Sequence, residues 1–188
     1  MTRCLVVGLG NIGDEYANTR HNIGFLVLEA FAKKAEASFS SGRYGDVAEC
    51  SFKGTSFTLL KPSTFVNLSG KAVNYWMQQK KILGDRLLVV ADDLALPFGT
   101  LRMKANGSDG GHNGLKSVAE ILGHVNYPRL RFGIGSNFPK GVQVDYVLGE
   151  WTTEEQTALP ERIGKAVEMI QTFGREGVQI SMNRYNNK

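Results

Sequence analysis

Cysteine is scarce in this 188-residue chain: only Cys4 and Cys50 occur, without C-x-x-C spacing and inside apolar or strand-like stretches. That excludes a disulfide framework and a thiol redox centre, and a reduced, cytoplasmic protein is expected. The three histidines, His21, His112 and His124, show neither H-x-H nor H-E-x-x-H spacing. No metal and no cofactor is expected from them. No apolar run approaches the ~20 residues of a membrane span, so no membrane association is expected. The first such run, Leu5 to Leu9, reads as the opening of the fold, so no signal or transit peptide is expected. Internal repeats, low-complexity segments and linkers are absent, and the length suits one core, so a single domain over residues 1–188 is expected. An excess of one charge is lacking too: 22 Lys and Arg face 18 Asp and Glu, giving +4. A pI near 9.1 permits an anionic partner without any polybasic tail to demand one.

What is present is an alternation of strand and helix patterns. Arg3 to Leu9 is a β-branched apolar run ending in glycines, which predicts a buried strand and a turn. From Asn22, Ile23, Leu26, Val27, Ala30 and Phe31 recur at helical spacing, with Asn22 placed to cap the first turn. Val47, Phe52, Phe57, Leu59 and Leu60 flank Lys53-Gly54 and predict a hairpin over 44–60. Leu68, Ala72, Val73, Trp76 and Met77 define a second amphipathic helix started by Ser69, and Arg86 to Ala91 reads as another central strand. A third helix carries Leu115, Val118, Ala119 and Leu122 after the glycine-rich stretch Asn106 to Gly111. Leu130 to Gly135 and Val144 to Leu148 read as two further strands. Thr153-Glu-Glu-Gln156 has the spacing of a capping box. The stripe Leu159, Ile163, Val167, Ile170, Phe173 continues from it, with Pro160 kinking the helix or marking its first turn. The expected fold is α/β: a twisted, mixed, largely parallel sheet with helices packed on both faces.

Several motifs invite a chemistry. Gly8-Leu-Gly10-Asn-Ile-Gly13 satisfies G-x-G-x-x-G after a strand, as a dinucleotide site would. Turn-prone residues then run from Asp14 to Arg20, so no helix N-terminus meets the glycines, and they serve a longer loop. Gly107-Ser108-Asp109-Gly110 approaches the nucleophile elbow G-x-S-x-G of serine hydrolases, but Asn106 stands where the first glycine belongs. There remain Asn11, His21, Asn67, Asp92 and Asn113, at strand ends and in adjoining loops, where open α/β sheets collect active-site groups. Asn11 follows the first strand and Asp92 the strand ending at Ala91, while His21 precedes a helix that packs back on the sheet. Each also has a plain structural reading: His21 as a capping residue, Asp92-Asp93 as a solvated turn, each asparagine as a cap or turn former. Spacing alone leaves the site undecided.

The longer strings are more specific. VGLGNIGDEY (7–16), TRHN (19–22), KPSTFVNLSGKAV (61–73), DDLALP (92–97), GGHNGLK (110–116), RLRFGIG (129–135) and YVLG (146–149) span nearly the whole chain. Together they resemble the bacterial-type peptidyl-tRNA hydrolase family, in that family's order. The resemblance implies a single α/β domain that hydrolyses the ester between a peptide and the terminal ribose of tRNA, with no cofactor. It implies His21 as general base, Asp92 as its orienting carboxylate, and Asn11 as the group orienting the water or the oxyanion. Tyr16, Phe65, Asn67 and Asn113 become substrate-binding residues, with Tyr16 beside the terminal sugar. Lys104 and Arg131 match a clamp on the tRNA 5′-terminal phosphate. Arg102, one strand period from Lys104, adds a third positive contact. The expected partner is tRNA, with no membrane and no obligate protein partner, and the expected state a monomer. Ile12, Val66, Ala95 and Asp109 depart from residues common in the family and bear on loop geometry and peptide preference. Some relatives are RNA-binding proteins without hydrolase activity, an alternative that retention of all five polar positions disfavours.

Overall fold

A computed structural model describes residues 2–187. Strand β1 (Thr2–Gly8) leads through a long loop to helix α1 (Ile23–Lys34). Strands β2 (Ser40–Gly42), β3 (Gly45–Phe52) and β4 (Thr55–Pro62) follow, then α2 (Ser69–Lys80), β5 (Leu87–Asp93) and β6 (Leu101–Lys104). The chain ends with α3 (Asn113–Leu122), β7 (Arg129–Gly133), α4 (Gln143–Val147), α5 (Thr153–Glu176) and α6 (Val178–Tyr185). The strands form one sheet in the order β2-β3-β4-β1-β5-β7-β6. Its centre, β4-β1-β5-β7, is parallel, and β2, β3 and β6 are antiparallel additions at the two edges. The sheet is therefore mixed and mostly parallel, as expected.

The two-residue period of β1 divides the core. Cys4 and Val6 face one layer, with α1, α5 and α6, which also takes Leu88, Val90, Leu101, Met103, Leu130 and Phe132. Leu5 and Val7 face the other, with α2 and α3 and with Leu87, Val89 and Ala91. Helices on both faces explain why the central strands read as near-continuous apolar runs. The β3–β4 hairpin turns at Lys53 and Gly54, both with positive φ (46° and 86°), the geometry of a two-residue primed turn.

Several local expectations are corrected. Val144 to Leu148 is not a strand. α4 forms there, with Tyr146 N–H donating to Val142 O and Leu148 N–H to Val144 O. Val144, Tyr146 and Leu148 alternate, but the segment pairs with no strand of the sheet, and at the β6 edge the Asn186 side chain takes up the N–H and carbonyl of Met103. Asn22 makes no side-chain cap on α1, nor does Ser69 on α2, where the Ser69 hydroxyl instead donates to Val66 O at 2.7 Å. The capping box lies one residue earlier than read, between Thr152 and Glu155. Pro160 lies inside α5 and neither starts nor ends it. Strand β2 and helix α6 were not anticipated.

Candidate active site

Parallel strands end on one side of the sheet, and the loops leaving β1, β4, β5 and β7 gather there. His21 arrives through close backbone packing. A Cβ at Gly8 would lie 2.3 Å from the carbonyl oxygen of Gly24, and one at Gly24 would lie 2.6 Å from the Leu9 nitrogen. Only glycine at both positions lets the first turn of α1 rest on the end of β1. The Asn22 side chain, unused as a cap, accepts from Asn11 N–H and donates to Asn11 O, each at 2.8 Å, so it pins the loop carrying Asn11. Arg20 anchors the same turn from the other side. Its guanidinium donates to Tyr146 O at 3.1 Å and to Glu155 at 3.0 Å, and lies 4.1 Å from the centroid of the Tyr146 ring.

Asp92 extends the Leu88–Val90 stripe of β5, so its side chain points toward the start of α1. The His21 Nδ1 atom is 3.1 Å from this carboxylate and His112 Nε2 is 2.9 Å from it. The two rings stack with centroids 5.1 Å apart. His112 is also the N-cap of α3: its Nδ1 accepts from the N–H groups of Gly114 and Leu115. A ring nitrogen that accepts holds no proton, so the His112 proton is assigned to Nε2 and donated to Asp92. Asp92, an acceptor only, is likewise assigned the hydrogen bond from His21 Nδ1–H. This leaves His21 Nε2 with a free lone pair. Burial alone would raise the Asp92 pKa, but His112 and then His21 outweigh it and hold the carboxyl well below the usual range. Burial works against a charged His21, yet the hydrogen bond and charge of Asp92 overcome it and raise the pKa above its ordinary value.

A cleft of about 540 Å³ surrounds these groups. Asn11, His21, Phe65, Asn67, Asp92, Asn113 and Arg131 line it. Phe65 is 80% exposed, an apolar side chain at the cleft that the core does not use. Among the described residues, the side-chain amides of Asn11, Asn67 and Asn113 make no hydrogen bond of their own, Asn11 being held through its backbone. Tyr16 lies outside the lining, in a short turn before His21. The sequence reading missed His112 and Asp93. A histidine between glycines and a helix is a legible cap, but nothing local signals the carboxylate twenty positions away. His21, Asp92 and His112 also converge as metal ligands would, their donor atoms all within 4.8 Å of one another, which their scattered sequence positions hid. Both ring contacts to Asp92 have hydrogen-bond lengths, and a cation there would have to displace both protons.

A family model for peptidyl-tRNA hydrolase matches residues 5–188. The chain belongs to the peptidyl-tRNA hydrolase family. The peptidyl-tRNA hydrolase of Phocaeicola vulgatus is 56% identical over 184 residues, covering 98% of each chain. That of Porphyromonas gingivalis is 56% identical over 182 residues, covering 97% of this chain and 98% of its own. The crystal structure of the Acinetobacter baumannii peptidyl-tRNA hydrolase matches with a TM-score of 0.91 at 33% identity, covering 98% of this chain and 94% of that one. The dinucleotide reading has no support left: α1 opens only at Ile23, well past Gly13.

The enzyme carries a second polar surface beside the cleft. Leu101, Met103, Leu130 and Phe132 all enter the α1/α5/α6 core, so alternation places Arg102, Lys104, Arg129 and Arg131 together on the opposite face of β6 and β7. Arg102 stands directly opposite Arg131, and Lys104 opposite Arg129. Arg129 is buried and bonded to the carbonyls of Val125, Tyr127 and Ser108, a structural role. Lys104 is exposed, Arg102 and Arg131 half-buried. No helix of the described residues is long and apolar enough to cross a membrane.

Proposed function

We propose that the enzyme cleaves the ester joining a peptide to the 3′-terminal ribose of tRNA by attack of a water that His21 activates. The observation that carries this reading is the relay of hydrogen bonds that starts at the α3 backbone. Gly114 and Leu115 N–H groups fix the His112 tautomer, His112 and His21 both donate to Asp92, and His21 Nε2 remains as the free base. That lone pair takes a proton from water as the water oxygen attacks the ester carbonyl carbon. Asp92 holds the ring and stabilises the imidazolium. The Asn11 side-chain amide donates to the developing oxyanion, or orients the water, without titrating itself. Collapse of the tetrahedral intermediate breaks the bond to the ribose oxygen, which takes the proton back from His21. Asn67 and Asn113 grip the carbonyl and amide groups of the peptide, beside the exposed Phe65 ring. Tyr16 contacts the terminal sugar from outside the cleft lining. Lys104 and Arg131 bind the 5′-terminal phosphate of the tRNA, with Arg102 as a third cation.

The test is single-turnover release of N-acetyl amino acid from N-acetyl-aminoacyl-tRNA with no cofactor added. His21→Ala is expected to lower turnover by at least ~10²-fold while tRNA binding is retained. Wild-type turnover in this variant removes the base assignment. Binding without hydrolysis by the unaltered enzyme places the chain among relatives that only bind RNA.

A further inference from the structure

Asp92 and Asp93 are consecutive on β5, and the pleat turns them to opposite faces. Asp92 meets the two imidazoles, whereas Asp93 Oδ2 meets Arg131 Nη1 at 3.3 Å. The other Asp93 oxygen accepts from Ala95 N–H at 2.8 Å, which fixes the carboxylate in a side-chain turn. Arg131 Nη2 donates to Ser108 O at 2.8 Å, and its Nε is buried without a partner. Two of the five N–H groups of Arg131 are thus engaged and the Nε–H is buried, so an anion that reaches the guanidinium meets the charge of Asp93 already seated on Nη1 and competes with it. The geometry points to Asp93 as a specificity-determining residue, an internal carboxylate that occupies Arg131 until the 5′-terminal phosphate of the tRNA displaces it. This inference rests on the phosphate-clamp reading above.

The consequence is for release as much as for binding. Deacylated tRNA keeps the same 5′ phosphate as the substrate, so the clamp grips product and substrate alike and accelerates no chemical step. A competitor already seated on Arg131 reduces the apparent affinity for both in proportion to its occupancy. Product then leaves more readily.

The test measures inhibition of the full-length enzyme by deacylated tRNA carrying either a 5′ phosphate or a 5′ hydroxyl. Asp93→Asn keeps the acceptor for Ala95 N–H and removes the charge that holds Arg131. Asp93→Ser, whose hydroxyl also closes such a turn, guards against a folding defect peculiar to the first variant. In the wild type the phosphorylated tRNA inhibits at the lower concentration. Both variants are expected to widen that ratio of inhibition constants about fivefold, the factor matching the ~1 kcal/mol upper range of a partly exposed ion pair. A narrower ratio means that Asp93 preorganises Arg131 and overturns the inference. An unchanged ratio, with the wild type still distinguishing the two tRNAs, overturns it and leaves the clamp standing. Equal inhibition of the wild type by both tRNAs removes the clamp, and the inference with it.

Discussion

Asp92 is the residue that both histidines contact, and under the proposed mechanism its removal has a calculable sign. In the proposed mechanism the free base of His21 does the work, so activity is expected to fall as pH drops below its raised pKa. Asp92→Asn removes the charge that raises that pKa and leaves the burial that lowers it. The acid limb of kcat/KM is therefore expected to move to lower pH, with kcat reduced by less than in His21→Ala, as a pH–rate profile would read. A limb that stays in place identifies another titrating group. His112 has two separable duties. Asparagine is among the best helix N-caps, so His112→Asn should keep α3 about 1 kcal/mol more stable than His112→Ala in denaturant titration. Neither variant supplies the Nε2–H bond to Asp92, and both are expected to lose kcat. Recovery of kcat in the asparagine variant would reduce His112 to a cap.

At the scale of elements, the contact between the end of β1 and the first turn of α1 decides where His21 lies. Gly24→Ala places a methyl 2.6 Å from the Leu9 nitrogen and 2.7 Å from the oxygens of Leu9 and Val90, all backbone. Backbone cannot swing aside as a side chain can, so a loss of about 1–3 kcal/mol is expected, with kcat falling because His21 is carried away from Asp92. Thermal unfolding with single-turnover kinetics checks both parts, and a fully stable, fully active variant means that the helix can shift freely. The glycines of the G-x-G-x-x-G string thus have a physical explanation without a nucleotide: Gly8 admits the helix, and a Cβ at Gly10 would lie 2.9 Å from the Asn22 amide oxygen. The long apolar and amphipathic elements β1, β4, β5, α1, α2, α3 and α5 were legible because burial imposes a period on the sequence. β2 and α4 were not. β2 is three exposed residues, and α4 is a short segment whose Val144 lines the cleft while Tyr146 and Val147 pack against the margin of the core, too few positions to impose a period.

Across the whole molecule, one tRNA acceptor end would, in the proposed mode of binding, span two regions, the cationic face on β6 and β7 and the cleft at the strand ends. Charge reversal of Lys104 and Arg131 together should raise KM for full-length peptidyl-tRNA and flatten its dependence on salt, since phosphate contacts release counterions. A short peptidyl ester without a 5′ phosphate should be nearly untouched. Equal damage to both substrates would make these residues supports of the fold or the chemistry.

The sequence by itself determined the α/β class, the main elements and, through its long characteristic strings, the family. Those features are written in local periodicity and contiguous residues. It named His21 and Asp92 as partners only by resemblance, because a hydrogen bond between residues 71 positions apart leaves no local trace. The tertiary structure alone decided that His112 is the second donor to Asp92, that Asn22 pins Asn11 instead of capping α1, and that Asp93 turns away from its neighbour to hold Arg131. Each depends on which strand ends and helix starts the sheet order brings together, a consequence of packing many distant residues at once.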